Sequence, residues 1–130
     1  CGFKGSNTNR HGGRLMLLLA CMFYVAPPHY EIEIVKRISH KYDIPEGGIE
    51  HRLWDDTRVD MLSAEFAWEV DRVKSWQSAV GQSLYYSLVT NRKPGIVLLT
   101  SDTKKDASHI HRCQCVCAKY GIRLEIEVIK

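Results

Sequence analysis

Hydrophobic positions from Tyr30 onward follow first a helical and then a strand spacing. Ile34, Val35 and Ile38 recur three or four residues apart, which predicts an amphipathic helix that Pro45 and the following glycines end. Short segments of alternating or mainly apolar residues come next, separated by turn residues, and they predict three strands. These predicted strands are Ile49–Trp54, Arg58–Leu62 and Phe66–Asp71.

The rest of the chain predicts helices that alternate with strands. A long helix is expected at about Arg72–Thr90, and the continuous apolar run Ile96–Leu99 is typical of a strand buried inside a sheet. Another helix is predicted at 104–120, ended by Gly121, and a last strand at Ile122–Ile129. The order α-β-β-β-α-β-α-β predicts an α/β fold with a mixed central sheet flanked by helices. The long helix is expected to pack through an apolar stripe formed by Val73, Trp76, Val80, Leu84 and Leu88.

The N-terminal segment differs in composition from the predicted domain, which we place at residues 30–130. Residues 1–14 are rich in Gly, Asn, Arg and Lys and are predicted to be disordered. Leu15–Ala26 is an unbroken run of 12 apolar residues after basic residues, which resembles a signal peptide and is too short to cross a bilayer. Export or a periplasmic location is expected if residues 10–26 are such a signal, and membrane contact only if residues 1–29 hold an anchor. Otherwise a cytoplasmic location and a buried strand remain the alternatives.

Length and composition indicate a single globular domain. A length of 130 residues fits one domain, and 45% hydrophobic with 25% charged residues is typical of a globular protein. The net charge of +3 permits contact with a phosphate backbone but does not by itself indicate it.

Two residue types are expected to be structural. Cys113 and Cys117 share one face of a predicted helix, and with Cys115 they lack the second ligand pair of a zinc site, so a small apolar role is favoured. The three tryptophans fit the apolar pattern better than a base-stacking role. They are Trp54, Trp68 and Trp76.

The candidate chemistry begins with two acids on successive predicted strands. In the third strand Ala67, Glu69 and Asp71 share the face opposite Phe66, Trp68 and Val70. Because a tight turn joins the second and third strands, Asp60 and Glu69 can converge. Two carboxylates without a basic partner repel each other unless a cation lies between them, and hard oxygen ligands suit Mg²⁺. This pair predicts phosphodiester hydrolysis, in which a metal stabilises charge on the phosphate and lowers the pKa of the attacking water. A pair of solvated hairpin carboxylates is the alternative.

A line of polar residues on the long helix extends the candidate site. Lys74, Ser78, Gln82 and Tyr86 are spaced four apart and lie off the predicted apolar stripe. Lys74 falls in the first turn, where the helix dipole disfavours a cation, so a nearby carboxylate cluster or phosphate would explain it. Gln82 and Tyr86 are expected to donate hydrogen bonds to phosphate or to a carboxylate. Ordinary helix surface is the alternative for all of them.

Three segments together resemble the PD-(D/E)XK nuclease superfamily. They are Thr57–Leu62 (TRVDML), Trp68–Asp71 (WEVD) and Gly81–Tyr86 (GQSLYY). The last is similar to the Gln-x-x-x-Tyr motif of RecB-type nuclease domains. The resemblance covers roughly Tyr30–Ile129 and implies a restriction-endonuclease-like αβββαβ core.

The resemblance also implies a set of site residues. Asp60 matches the first Asp of the motif, Glu69 its second acid, and Gln82 with Tyr86 the Gln-x-x-x-Tyr pair. An acid from the first helix often joins such a site, and Glu31 shares the helical phase of the apolar residues there. The implied metal-binding positions are Asp60, Glu69, Val70 and Glu31.

The same resemblance implies Mg²⁺ or Mn²⁺ as cofactor and no organic cofactor. The implied partner is nucleic acid, DNA in preference to RNA, and a homodimer would provide one site for each strand of a duplex.

The motif departs from the family at one position. The family's lysine, two residues after the second acid, is Asp71 here. Asp71 is expected to cap the following helix, to contact metal or water, or to do both. Lys74 would then be the displaced lysine that positions water or phosphate. The alternative from another functional class is a non-catalytic protein of the same fold that binds nucleic acid or a protein.

Overall fold

The computed structural model describes residues 29–130, and the interpretations made above for residues 1–28 lie outside the described residues. The fold that follows is that of the unit Ile32–Lys130. In the described part of the chain, no helix has both the length and the apolar character needed to cross a membrane. The helices and strands are α1 (His29–Ile38), a first 3-10 helix (Ser39–Tyr42), β1 (Ile49–Arg52), β2 (Arg58–Leu62), β3 (Phe66–Arg72), a second 3-10 helix (Val73–Ser75), α2 (Trp76–Thr90), β4 (Lys93–Thr100), α3 (Ala107–Tyr120) and β5 (Arg123–Val128).

The strands form one five-stranded sheet in the order β1-β2-β3-β4-β5. β1, β2 and β3 are antiparallel neighbours, whereas β4 runs parallel to both β3 and β5. Each parallel connection contains a helix, as a crossover requires, and these helices are α2 and α3. The protein is therefore an α/β protein with a mixed sheet flanked by helices, which confirms the predicted class.

The two faces of the sheet pack against different helices. On one face, Ile34, Val35 and Ile38 of α1 pack with Trp68 and Val70 of β3. On the other face, α2 and α3 pack against β4 in a cluster made of Val73, Ala79, Ile96, Leu98, Cys113, Cys117 and Ile122. Ala67 belongs to a third cluster, with Val59, Leu62 and Tyr86 of α2. Successive residues of β3 therefore point to opposite faces of the sheet and pack against different helices, as the alternation predicted.

Local features predicted from the sequence are confirmed as well. Residues Ile96–Thr100 of β4 are buried, as expected of a central strand. Gly121 ends α3 with a φ of 67°, a left-handed conformation that glycine adopts without strain. Cys113 and Cys117 are buried with their Sγ atoms 3.7 Å apart, whereas Cys115 is exposed.

The apolar stripe predicted for α2 is wrong at its C-terminal half. Leu84 and Leu88 are 41% and 79% exposed, and the buried residues of the helix are Ala79, Ser83 and Tyr86. Small side chains let this helix lie close to the sheet. Ser83 tolerates burial because its hydroxyl donates to the carbonyl of Val80 at 3.0 Å. Apolarity alone does not predict a face formed by Ala, Ser and Tyr.

The expected core position of Trp54 is also wrong. β1 ends at Arg52, and a turn follows in which the N–H of Asp56 donates to the carbonyl of Leu53 at 3.1 Å. Trp54 lies inside that turn and is 84% exposed. The turn ends the strand two residues earlier than predicted, so the alternation that placed Trp54 in the core does not extend to it. Trp68 is buried as predicted, at 3% exposure.

Trp68 depends on a glycine of the neighbouring strand. Gly95 pairs with Trp68 across β3 and β4, and a Cβ added at Gly95 would lie 2.4 Å from the indole ring. The ring also contacts Tyr42 and Phe66, with centroid distances of 4.9 and 5.0 Å. These contacts leave little room for the indole to move away.

Gly95→Ala is therefore expected to destabilise the protein by about 1–3 kcal/mol, the usual penalty for overpacking a well-packed core. Chemical denaturation followed by far-UV circular dichroism measures this. Gly81→Ala is the matched control, because a Cβ there meets nothing within 4 Å and alanine favours the helix, so the free energy of unfolding should rise slightly. Equal effects of the two substitutions would contradict the proposed clash with Trp68.

Candidate functional site

The candidate site lies next to the hairpin of β2 and β3, on the face covered by α2. The two strands pair at Leu62–Ala67 and Met61–Trp68. One residue further from the turn stand Asp60 and Glu69, and here the N–H of Val70 donates to Oδ2 of Asp60 at 2.7 Å. A side-chain carboxylate thus takes part in joining the two strands. This bond fixes the Asp60 side chain between β2 and β3.

Asp60 and Glu69 form a directly contacting acid pair. Glu69 is only 6% exposed, and its carboxyl group shares a hydrogen bond with that of Asp60. The bond favours the proton on Glu69 and the charge on Asp60, because it raises the pKa of Glu69 and lowers that of Asp60. The sequence analysis predicted this convergence, and the structure brings the two acids together.

Burial raises the pKa of both carboxyl groups above the ordinary range, and for Glu69 the charge of Asp60 raises it further. The N–H of Val70 partly offsets this rise for Asp60. Among residues 29–130, no Lys, Arg or His forms an ion pair with either acid. The pair therefore needs either a shared proton or a bound cation at neutral pH.

Glu50 is a third acid that the sequence analysis missed. Ile49 pairs with Met61 and His51 with Val59, so Glu50 falls opposite Asp60, and its charge raises the pKa of both acids of the pair. Its backbone has a φ of +52°, which is uncommon for a side chain of this kind within a strand. The hairpin register could have indicated it, because pairing β1 with β2 places position 50 beside position 60.

Asp71 follows Glu69 on the same face, and its negative charge also raises the pKa of both acids. The prediction that it caps the following helix is wrong. β3 continues through Arg72 by pairing with β4, a 3-10 helix occupies Val73–Ser75, and α2 begins only at Trp76. Oδ1 of Asp71 instead accepts the N–H of Arg72 at 2.7 Å. Its predicted contact with metal or water stays a prediction.

Tyr86 reaches the acid pair from α2. It is buried, and its pKa is raised above the ordinary value by burial first and then by the charges of Glu69 and Asp60. The hydroxyl therefore stays protonated at neutral pH and is available as a hydrogen-bond donor. Gln82, one helical turn earlier, is partly exposed and its amide donates to the hydroxyl of Ser78 at 3.0 Å.

The structure does not bring Lys74 to the Asp60–Glu69 pair as it does Tyr86. It lies in the 3-10 helix between β3 and α2, is exposed, and forms no ion pair within the described residues. The neighbouring charges that act on both Asp60 and Glu69 come from the acids Glu50 and Asp71. The role of Lys74 toward water or phosphate stays a prediction.

Two predicted metal-binding positions have less direct support. Glu31 is a partly exposed acid in the first turn of α1. The side chain of Val70 is buried in the core. Only its main chain is therefore available to bind a metal. Both roles stay predictions.

The donor set fits a hard divalent cation that keeps much of its hydration. No three His, Cys, Asp or Glu side chains of residues 29–130 form a group that could hold a metal by themselves. Mg²⁺, however, is commonly bound by one or two carboxylates, with water and substrate phosphate completing its shell. A contacting carboxylate pair without a basic partner among the described residues meets that requirement.

Comparison with family models, with curated proteins and with solved structures finds no match for this chain.

The raised pKa values determine how stability depends on pH. A carboxyl group whose pKa is raised by folding binds its proton more tightly in the native state, so its contribution to stability is full below the unfolded pKa of about 4 and is lost as pH rises. In metal-free buffer, Glu69→Gln removes the carboxyl group that holds its proton in the native state and loses it on unfolding at high pH. We expect it to raise the free energy of unfolding at pH 8 by about 1 kcal/mol or more, since one pKa unit corresponds to about 1.4 kcal/mol.

Urea unfolding between pH 5 and pH 9, with EDTA present, tests this expectation. The stability of the unaltered protein should fall with pH more steeply than that of the Glu69→Gln variant. Glu46→Gln, at an exposed position, is the control and should follow the unaltered protein. A Glu69→Gln protein that is less stable at pH 8 would show that the pair is not a source of charge repulsion.

Proposed function

We propose that this protein is a metal-dependent nuclease with a restriction-endonuclease-like core, in which Asp60 and Glu69 form the metal-binding acid pair. The observation that carries the proposal is the contact between the buried carboxyl group of Glu69 and the half-buried one of Asp60, with no basic partner among the described residues. The topology supports the proposal. Helix α1 precedes the antiparallel strands β1, β2 and β3, and the crossover helix α2 leads to the parallel strand β4. This is the αβββαβ order of the family that the three sequence segments resemble.

Without a compensating charge, the acid pair is energetically unfavourable. Removing two carboxylates from water is unfavourable, and their mutual repulsion adds to that penalty. The N–H of Val70 compensates Asp60 only in part, and the neighbouring acids Glu50 and Asp71 add negative charge, so the pair needs a shared proton or a bound cation. A divalent cation would compensate the two charges of the pair itself.

A bound Mg²⁺ or Mn²⁺ would stabilise negative charge on a phosphate and lower the pKa of a water molecule. The protein's own residues then have distinct tasks. Asp60 and Glu69 hold the cation as carboxylates, with Asp60 oriented by the N–H of Val70. Glu50 and Asp71 strengthen the local negative potential that would attract the cation.

The residues of α2 and of the preceding 3-10 helix act on the substrate. Tyr86, kept protonated by its neighbours, can donate a hydrogen bond to a phosphate oxygen or to Glu69. Lys74, exposed and without an ion pair in the described part of the chain, is able to contact the phosphate backbone. Gln82, one helical turn before Tyr86 in α2, would orient the substrate.

One observation favours a second candidate, a non-catalytic protein of the same fold that binds nucleic acid or a protein. Asp71 occupies the position at which the resembled family has a lysine, so a group that orients or activates water is missing there. In this alternative no cleavage follows, and the acid pair does not depend on a cation.

Cleavage of labelled single- and double-stranded DNA in Mg²⁺ or Mn²⁺ tests the nuclease proposal. EDTA should abolish cutting, and Asp60→Asn should lower the rate by about 100-fold or more, because the charge stabilisation that a metal supplies is worth several kcal/mol. Asp43→Asn is the control, since Asp43 is exposed and its left-handed backbone suits asparagine. Cutting that survives Asp60→Asn would exclude the pair as the catalytic centre.

Thermal unfolding with and without Mg²⁺ separates the two candidates. The nuclease proposal predicts that the cation stabilises the unaltered protein and not the Asp60→Asn variant. No stabilisation, together with no cutting of any strand, would favour the non-catalytic candidate.

Lys74→Ala tests the displaced lysine. If Lys74 contacts the scissile phosphate or its neighbour, the variant should lose about tenfold in kcat/KM, as expected for one charge-assisted hydrogen bond. Lys36→Ala is the control, because Lys36 is an exposed lysine of α1, the helix that covers the opposite face of the sheet. Steady-state cleavage of a fluorogenic oligonucleotide measures both. An unchanged rate would show that Lys74 does not make the cationic contact with the phosphate.

A further inference from the structure

The turn between β1 and β2 holds a tryptophan in solvent. Trp54 is 84% exposed, although the turn that carries it is well braced. The N–H of Leu53 donates to the carbonyl of Thr57 at 2.8 Å, and Oδ1 of Asp55 accepts both the N–H and the hydroxyl of Thr57, at 3.1 and 2.7 Å. Because the turn is fixed by these bonds, Trp54 is presented to solvent on a rigid support.

This turn lies on the same side of the sheet as the acid pair. Leu53 packs against the cluster that contains Tyr86, and the hydroxyl of Tyr85 on α2 donates to Oδ2 of Asp55. The charge of Asp55 raises the pKa of Tyr86, as do the charges of Glu69 and Asp60. The turn and the acid pair are therefore joined through the same segment of α2.

The base of the turn carries two arginines at directly opposed positions. Arg52 of β1 pairs with Arg58 of β2 in the strand register. Like charges at such positions destabilise a sheet. Arg52 forms an ion pair with Asp56 at 2.7 Å, but Arg58 is exposed and forms no ion pair among the described residues. A guanidinium in this situation is suited to a phosphate group.

A single exposed hydrophobic residue needs no explanation. Here, however, the same hairpin carries a rigidly held indole and a guanidinium that forms no ion pair among the described residues, on the side of the sheet that holds the acid pair. An aromatic face with a cationic group next to it is the combination by which proteins bind single-stranded nucleic acid, because every base offers a face for stacking. In a duplex the base faces are covered by their neighbours.

We propose that Trp54 stacks on an unpaired base of single-stranded nucleic acid, while Arg58 contacts its backbone. The strand thereby approaches the acid pair from the β1-β2 turn. The inference rests on the proposed nuclease function, and it names single strands, or the unpaired end of a duplex, as the substrate class.

Binding without metal tests the inference separately from catalysis. Fluorescence anisotropy in EDTA would compare a labelled single strand of mixed sequence, a strand of the same length with abasic sites, and a duplex. Trp54→Ala should weaken binding of the ordinary strand by about tenfold, the usual effect of losing one stacked base. Trp54→Phe should keep most of the affinity. Leu88→Ala is the control, since Leu88 is 79% exposed on α2 and offers no aromatic face.

The abasic strand distinguishes stacking from a general surface effect. Its affinity should be insensitive to Trp54→Ala, whereas Arg58→Ala should weaken both strands equally because it removes a backbone contact. The inference is overturned if Trp54→Ala leaves the ordinary strand unaffected, if it weakens both strands equally, or if no strand binds. Trp54-dependent binding in a protein that cuts nothing would overturn the nuclease proposal and keep the stacking role.

Discussion

The hydrogen bond from the N–H of Val70 to the carboxylate of Asp60 is the contact on which the candidate site depends. It holds the half-buried carboxylate between β2 and β3 and so places it against the buried Glu69. The position of β3 is in turn fixed by β4, which pairs with it along Phe66–Arg72 and is buried from Gly95 onward. The acids are thus attached to a rigid part of the sheet, and a rigid support is what a metal-binding geometry requires.

The surrounding core allows this unfavourable arrangement to persist. Two large apolar clusters lie on opposite faces of the sheet, and the stabilisation from their burial is spread over many residues. The acid pair lies beside a smaller cluster with Tyr86, at the margin of the second face. Native proteins tolerate a local penalty of this kind when the rest of the domain supplies a sufficient margin, and such penalties concentrate at functional sites.

The sequence alone predicted the order of the elements, the alternation in β3 and the convergence of Asp60 with Glu69, because each depends on a local period and on one hairpin. It did not predict the packing face of α2, since Ala79 and Ser83 are buried for their small size and not for their apolarity. Nor did it place Trp54 in a turn, or exclude a capping role for Asp71, because both depend on where a strand ends. Strand ends are set by tertiary hydrogen bonds, which a local pattern does not record.

Features that stability does not explain are found together on the β1-β2 hairpin and the adjacent part of β3. Glu50 has a left-handed backbone inside a strand, whereas the other non-glycine residues with positive φ, Asp43, Asp56 and Asn91, are of types that tolerate it. Arg52 and Arg58 oppose each other at the base of the same hairpin that exposes Trp54. Taken singly, none of these features indicates a function. Selection for stability would remove them independently, so their shared location agrees with the proposed ligands: a cation for the acids, a phosphate for Arg58 and a base for the indole.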